Sequence, residues 1–214
     1  FTGDYALRKV KSINEGFDAM HRSTYEQTLR YAKQGKTVAV VGGDHSVAFG
    51  AVRSISSVYP QMGVLFIDAH SDLRPSGKIF DYSHLSVARN IVDEIPAVSK
   101  LVQVGVRDMS REEMDFAQNH PKITMFCHEK LTAERFSGRS WAEVCDSVVA
   151  ELPDKVYISF DIDALSPECC PHTKRPVAGG MTFDEAVCLI NRVAESGREI
   201  VGFDLTEIVP VMET

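Results

Sequence analysis

The sequence predicts an α/β fold, a three-layer α/β/α sandwich with a central parallel sheet. Two observations carry this. Apolar, β-branched runs of strand length alternate with longer stretches of helical periodicity, about six of each, the pattern of βαβ units with helices on both sheet faces. Over the 214 residues no repeat, low-complexity tract or linker interrupts the alternation, so a single domain spanning 1–214 is expected.

Taken in order, Tyr5 to Gln34 reads as a helix, with Ile13, Phe17 and Met20 at helical spacing and Gly35 at the C-terminal cap position. Thr37 to Val41 is a continuous β-branched run and reads as a buried strand, ending in Gly42-Gly43-Asp44-His45-Ser46. A helix follows over Val47 to Val58, with Val47, Ala51, Ile55 and Val58 on one face. The next strand, Gly63 to Ile67, ends in Asp68-Ala69-His70-Ser71-Asp72, and a loop rich in Pro, Gly and Ser runs to Ser83. His84 to Ile95 reads as a helix stopped by Pro96, Leu101 to Val106 as a strand, Arg111 to Asn119 as a helix and Ile123 to Phe126 as a short strand. Trp141 to Leu152 is a helix, and Lys155 to Phe160 a strand leading into Asp161-Ile162-Asp163. A long loop, Ala164 to Met181, precedes the helix Phe183 to Ser196 and the last strand, Ile200 to Phe203, which runs into Asp204-Leu205-Thr206-Glu207.

Composition is that of an ordinary soluble globular protein, 44% hydrophobic and 25% charged. A net charge of −7 argues against nucleic acid and anionic membrane as partners. No run is long enough to span a bilayer, and Phe1 to Lys11 lacks the apolar stretch of a signal peptide. The five cysteines are odd in number and lack zinc-ribbon spacing, which fits reduced thiols and a cytoplasmic protein. Vicinal Cys169-Cys170 lies on the long loop and is a candidate for redox sensitivity.

In parallel sheets ligands bind beyond the carboxyl ends of the strands. Four strands here run into His45, into Asp68, His70 and Asp72, into Asp161 and Asp163, and into Glu207. Asp161 and Asp163 are two residues apart, and on an extended backbone such positions point to one side. Like charges placed together raise one another's pKa, and a bound cation is the simplest remedy. Four carboxylates and two imidazoles exceed what one tetrahedral zinc needs and suit two divalent ions, Mn²⁺ before zinc or copper. Asp44 reads as structural, satisfying amides of the glycine turn.

Gly42-Gly43-Asp44-His45-Ser46, Asp68-Ala69-His70-Ser71-Asp72, Ser159-Phe160-Asp161-Ile162-Asp163 and Gly202-Phe203-Asp204-Leu205-Thr206-Glu207 together resemble the ureohydrolases: arginase, agmatinase and formimidoylglutamase. The resemblance runs from about Val38 to Pro210. It implies an arginase-like fold, two Mn²⁺ ions and hydrolysis of a C–N bond in a linear amidine or guanidine by attack of a metal-bridging hydroxide, releasing urea or formamide. It also implies that His45 and Asp72 serve one ion, His70 and Asp163 the other, and that Asp68 and Asp161 bridge them. His84 matches a family histidine that shuttles protons, and with Asp72 makes up the implied catalytic pair. The alternative for His84 is a helix N-terminal imidazole packed on the loop. Glu207 falls where the family sets a carboxylate against the substrate guanidinium, in fork geometry. Its alternative is a surface residue after a strand. A homo-oligomer, trimer or hexamer, is the family's habit.

Two features depart from the family. The loop after Asp163 carries Ser166-Pro167 and His172-Thr173-Lys174-Arg175-Pro176 in place of the commoner D-P and N-T-G-T-P, which leaves the substrate open. Relatives normally begin earlier and continue past the final Glu motif, so part of the family's N- and C-terminal segments is expected to lie outside this chain. Arg74 stands two residues past Asp72, and Lys174 and Arg175 lie on the altered loop. Arginine suits a bidentate grip on a carboxylate, which favours formiminoglutamate, arginine or guanidinobutyrate over the dicationic agmatine. The other readings are agmatinase, a non-catalytic relative, and a zinc deacetylase-like hydrolase.

Overall fold

A computed structural model describes residues 4–77 and 80–209. Six strands form one all-parallel sheet: β1 (Val38–Val41), β2 (Met62–Ile67), β3 (Val98–Val104), β4 (Ile123–Phe126), β5 (Lys155–Asp161) and β6 (Glu199–Thr206), in the order β1-β6-β5-β2-β3-β4. Among the described residues seven α-helices flank the sheet: α1 (Asp4–Ala32), α2 (Val47–Val58), α3 (Val87–Glu94), α4 (Arg111–Asn119), α5 (His128–Phe136), α6 (Trp141–Ala150) and α7 (Phe183–Glu195).

Successive strand residues point to opposite faces, and the core divides accordingly. Val64, Phe66 and Tyr157 pack in one cluster with Phe49, Ile55 and Ile91 of α2 and α3. Leu65, Ile67, Ile158 and Phe160 pack in the other with Leu131, Val148 and Leu189 of α5, α6 and α7. The three-layer sandwich is therefore present. β2 and β5 are neighbours, yet the helix after β2 goes to one face and the helix after β5 to the other. That divergence opens a crevice beyond the carboxyl ends of β2 and β5, where open α/β sheets bind ligands.

Four elements differ from the sequence expectation. β1 is an edge strand alternating half-buried and exposed residues, with Val41 70% exposed, because it pairs on one side only, with β6. The predicted helix at His84 opens with a 3₁₀ turn, His84–Ser86, under a Ser83–Ser86 capping box, and becomes α-helical at Val87. β6 continues to Thr206, paired with Asp161, so the final motif starts inside the strand. The helix α5 had no amphipathic stripe to reveal it: Leu131 is its one buried residue. The cap expected at Gly35 is there, with φ +71°.

Candidate active site

The carboxyl ends of β2 and β5 deliver four of the six candidate ligands, and the turn after β1 and the loop after β2 deliver the others. His45 is fully buried, its ring stacked on Phe66 with centroids 4.5 Å apart. Its Nδ1 lies 3.0 Å from Asp68 Oδ2 and 3.5 Å from both Asp72 Oδ2 and Asp161 Oδ2. Its Nε2 is 2.8 Å from Ser159 Oγ, whose hydroxyl donates to Asp204 Oδ1 at 3.0 Å. The serine proton is thus committed, so Nε2 is the donor to Ser159 and Nδ1 is the nitrogen that faces the carboxylates. His70 Nδ1 lies 3.0 Å from Asp163 Oδ2 and 3.4 Å from Asp68 Oδ1. Its buried Nε2 makes no hydrogen bond and faces Asp108 Oδ2 at 3.5 Å.

The expectation that Asp161 and Asp163 converge by extended geometry is corrected. Asp161 ends β5, and a 3₁₀ turn, Ile162–Ala164, carries Asp163 round while its N–H donates to Asp161 Oδ1 at 2.8 Å. Asp161 therefore has one oxygen toward the cluster. Asp163 Oδ1 accepts the N–H of Ala69 at 3.1 Å, joining the two strand ends.

Asp72 stands at φ +50° and Glu207 at φ +60°, left-handed conformations costly for residues with a Cβ. Surrounding groups hold both. Gln103 Nε2 donates to the carbonyl of Ser71 at 2.7 Å, and Glu113 Oε1 accepts from Ser71 Oγ at 2.8 Å and from Leu73 N–H. Glu207 N–H donates to the carbonyl of Gly43 at 2.8 Å, and Glu207 Oε1 accepts the N–H of His45 at 3.1 Å. Asp44 Oδ1 accepts the N–H of Ser46 at 3.0 Å, the structural role read from the turn.

Electrostatics follow from crowding. Burial, then the charge of Asp68, pushes Asp72 up to about 7, and the same two causes raise Asp161 well above the usual carboxylate range. Burial also raises Asp163. Burial would raise Asp68 too, but hydrogen bonds from His45 and His70 outweigh it and hold it at about 2. Burial works against charge on His70, yet Asp163 and Asp68 lift it to about 10. When ionised, four buried carboxylates outnumber the two imidazoles, an excess of negative charge that a buried site removes by protonation or offsets with bound cations.

The donor set fits two hard divalent ions. Ligand atoms of His45, Asp68 and Asp72, and of Asp68, His70 and Asp163, form two groups, each with all atoms within 4.8 Å, sharing Asp68. Asp161 stands beside the first group through His45.

His70, Asp72, His84, Arg175 and Glu207 line one narrow cavity with the β5 carboxylates. His84 is half-buried, and burial lowers its pKa against the opposing charge of Asp44, with Lys174 and Arg175 acting in the same direction as burial, which favours the neutral ring. Burial raises Glu207. Arg74 is exposed and lines an adjoining cavity with Asp108, Glu113 and Arg175.

Ser159, Asp204, Gln103, Arg107, Asp108 and Glu113 were not singled out as site residues from the sequence. Glu113 was readable in part, since Ser110-x-x-Glu113 is a capping box. Ser159 and Asp204 lie within the strand motifs, but only pairing of β5 with β6 brings them together, at the Ser159↔Asp204 register.

The Arginase family model matches residues 3–214. The N(1)-aminopropylagmatine ureohydrolase of Thermus thermophilus is 32% identical over 97% of this chain and 67% of its own length. An arginase of Emericella nidulans is 26% identical over 97% of this chain and 68% of its own. The chain thus spans about two thirds of these relatives. The native structure of the arginase from Bacillus caldovelox superposes with a TM-score of 0.79 at 23% identity, over all of this chain and 74% of that one, a likeness of fold. With its parallel sheet, paired His/Asp groups and matching family model, this chain belongs to the arginase family, hydrolases of carbon–nitrogen bonds in linear amidines and guanidines.

Proposed function

We propose that this chain is a binuclear manganese hydrolase of a linear guanidine or formimino compound whose tail bears a carboxylate. One observation carries the reading: two ligand groups sharing Asp68 open on the cavity that also holds Glu207. His45 and Asp72 would hold one ion, His70 and Asp163 the other, with Asp68 and Asp161 common to both. Oxygen-rich ligation with two imidazoles favours Mn²⁺. Two such ions, when bound, make water nucleophilic at neutral pH and stabilise the charge developed at the substrate carbon.

The protein's own groups do the rest. Glu207, fixed by the amide of His45, offers its second oxygen to a guanidinium or amidinium N–H. His84, neutral and on the cavity wall, is placed to carry a proton on a ring nitrogen to the departing amine. Asp72 lies between His45 and the cavity, and its strained backbone is held by Gln103 and Glu113 through the neighbouring Ser71 and Leu73. At the mouth Arg74 is available to a substrate carboxylate. The Thermus relative is named for an agmatine derivative, and the cations at this mouth favour an acidic tail instead.

Metal analysis with a urea and ammonia release assay tests this. The expected result is two Mn²⁺ per chain and turnover within a panel of arginine, agmatine, guanidinobutyrate and formiminoglutamate. Fewer than two ions bound after manganese loading, or turnover of none of the four, would overturn it.

A further inference from the structure

Arg175 is the chain's own guanidinium at the entrance to the candidate site. With His70 and Asp72 it lines both the cavity that holds Glu207 and the adjoining cavity that holds Arg74, so these three side chains stand between them. Its Nη2 donates to Asp108 Oδ2 at 3.3 Å, and that same oxygen faces His70 Nε2 at 3.5 Å. Lys174, its neighbour, is exposed.

The loop bearing Arg175 is not loose. Thr173 bridges to Ile208, next to Glu207, and Val209 N–H donates to the carbonyl of His172 at 3.2 Å. On the other side the Arg107 guanidinium donates to the carbonyl of Val177 at 3.1 Å and to that of Ala178 at 3.1 Å, and Ser166 N–H donates to the carbonyl of Met181 at 2.8 Å. Antiparallel pairing at Thr173 and the clamp at Val177 leave Arg175 between two fixed points.

The tether to Asp108 is weak by its setting: the two side chains are 37% and 51% exposed, where ion pairs contribute little. It also uses one nitrogen of the guanidinium, and no other partner of Arg175 occurs among the described residues. A planar fork with donors to spare and a cheaply exchanged carboxylate is suited to accept a carboxylate from elsewhere. We infer that Arg175, with Arg74 across the mouth, forms an anion-holding subsite that sets tail specificity, the substrate carboxylate replacing Asp108 on the guanidinium. This rests on the reading of the cluster as a guanidine- or amidine-cleaving centre. It adds that Arg175, by exchanging Asp108 for the substrate carboxylate, is what selects the acidic tail and repels a tail ammonium.

The test compares 4-guanidinobutyrate, butylguanidine and agmatine, which share the reacting group and differ in tail charge. Manganese-loaded wild type, Arg175→Ala, Arg175→Lys and Arg175→Glu are assayed for kcat/KM and, separately, for binding by calorimetry. The expected result is a preference for the acid in wild type. The ratio of acid to neutral kcat/KM should fall about tenfold or more in Arg175→Ala, mainly through KM, as expected for a lost charged hydrogen bond. Arg175→Lys should recover part of it, and Arg175→Glu should turn preference toward agmatine. Equal losses for acid and neutral substrates, or a wild type that prefers agmatine, would overturn the inference. Should none of the three be turned over, acid-selective binding that disappears in Arg175→Ala sustains the subsite, and the hydrolase reading is decided separately by the panel with arginine and formiminoglutamate. Absence of selective binding removes the subsite.

Discussion

The side-chain carboxylate of Glu207 accepts the backbone N–H of His45 at 3.1 Å, across 162 residues of sequence. The last motif of the chain is thereby built onto the first, and the return bond, Glu207 N–H to the carbonyl of Gly43 at 2.8 Å, closes the pair. Glu207 pays with a left-handed backbone at φ +60°. One oxygen serves the fold, and the other is the one proposed to meet a substrate cation.

Glu207→Gln keeps shape and loses charge. It is expected to lower kcat/KM for a guanidine by a factor corresponding to about 1.5–3 kcal/mol, the worth of a charged hydrogen bond. Steady-state kinetics on the manganese-loaded protein, with circular dichroism to verify folding, is the measurement. Unchanged kinetics would place the substrate cation elsewhere.

Ser159→Ala removes the hydroxyl between His45 Nε2 and Asp204 Oδ1. Both partners are buried and would lose a bond, costing about 1–3 kcal/mol of stability. Loss of the outer partner of a ligand imidazole is also expected to weaken metal binding by roughly 10–100-fold. Chemical denaturation and calorimetric titration with Mn²⁺ read the two effects separately, and unaltered manganese affinity would mean that Ser159 does not orient His45.

The metal-free protein, held in chelator, has a defined pH dependence. Asp72 is raised from 3.8 to about 7, so the fold binds its proton more tightly than the unfolded chain does. Its contribution is full below about 4 and is lost as pH rises through 7. His70 is raised from 6.5 to about 10, so its contribution is full below about 6.5 and is lost as pH rises through 10. Both act in one direction, and Tm in chelator should fall from pH 5 to pH 9. Added Mn²⁺, which favours ionised carboxylates and neutral imidazoles, should flatten or reverse the slope. A Tm in chelator that rises across this range would contradict the crowding of charges described here.

Gly180→Ala should destabilise. Gly180 stands at φ +107°, and a Cβ there would lie 2.8 Å from the carbonyl of Leu165 and from Arg107 Nη2. That nitrogen donates to the carbonyl of Asp163 at 2.7 Å, so the strain is passed to the ligand turn. A stability loss of about 2–4 kcal/mol, with weakened Mn²⁺ binding, is expected from positive φ and overpacking together. Denaturation midpoints measure it, and a neutral substitution would show that the turn can yield.

Much was legible in the chain itself. Strands read from β-branched runs, and their abrupt ends in Asp68, His70, Asp161 and Asp163, depend on local pattern and on the rule that parallel strands share one direction. Those two facts suffice to bring the ligands to one rim before any contact is known. Sequence pattern did not determine which strands are neighbours, and so left β1 in the core rather than at the edge. Pairing of β5 with β6 decided that Ser159 meets Asp204 and so which nitrogen of His45 faces the carboxylates. Loop packing decided that Arg175 stands in the entrance, tied to Asp108, while Lys174 beside it is exposed. The division has a physical cause. Periodicity and residue type are properties of a segment, whereas strand order, tautomer and loop direction are set by partners more than 40 residues away, as for Ser159 and Asp204 at a separation of 45.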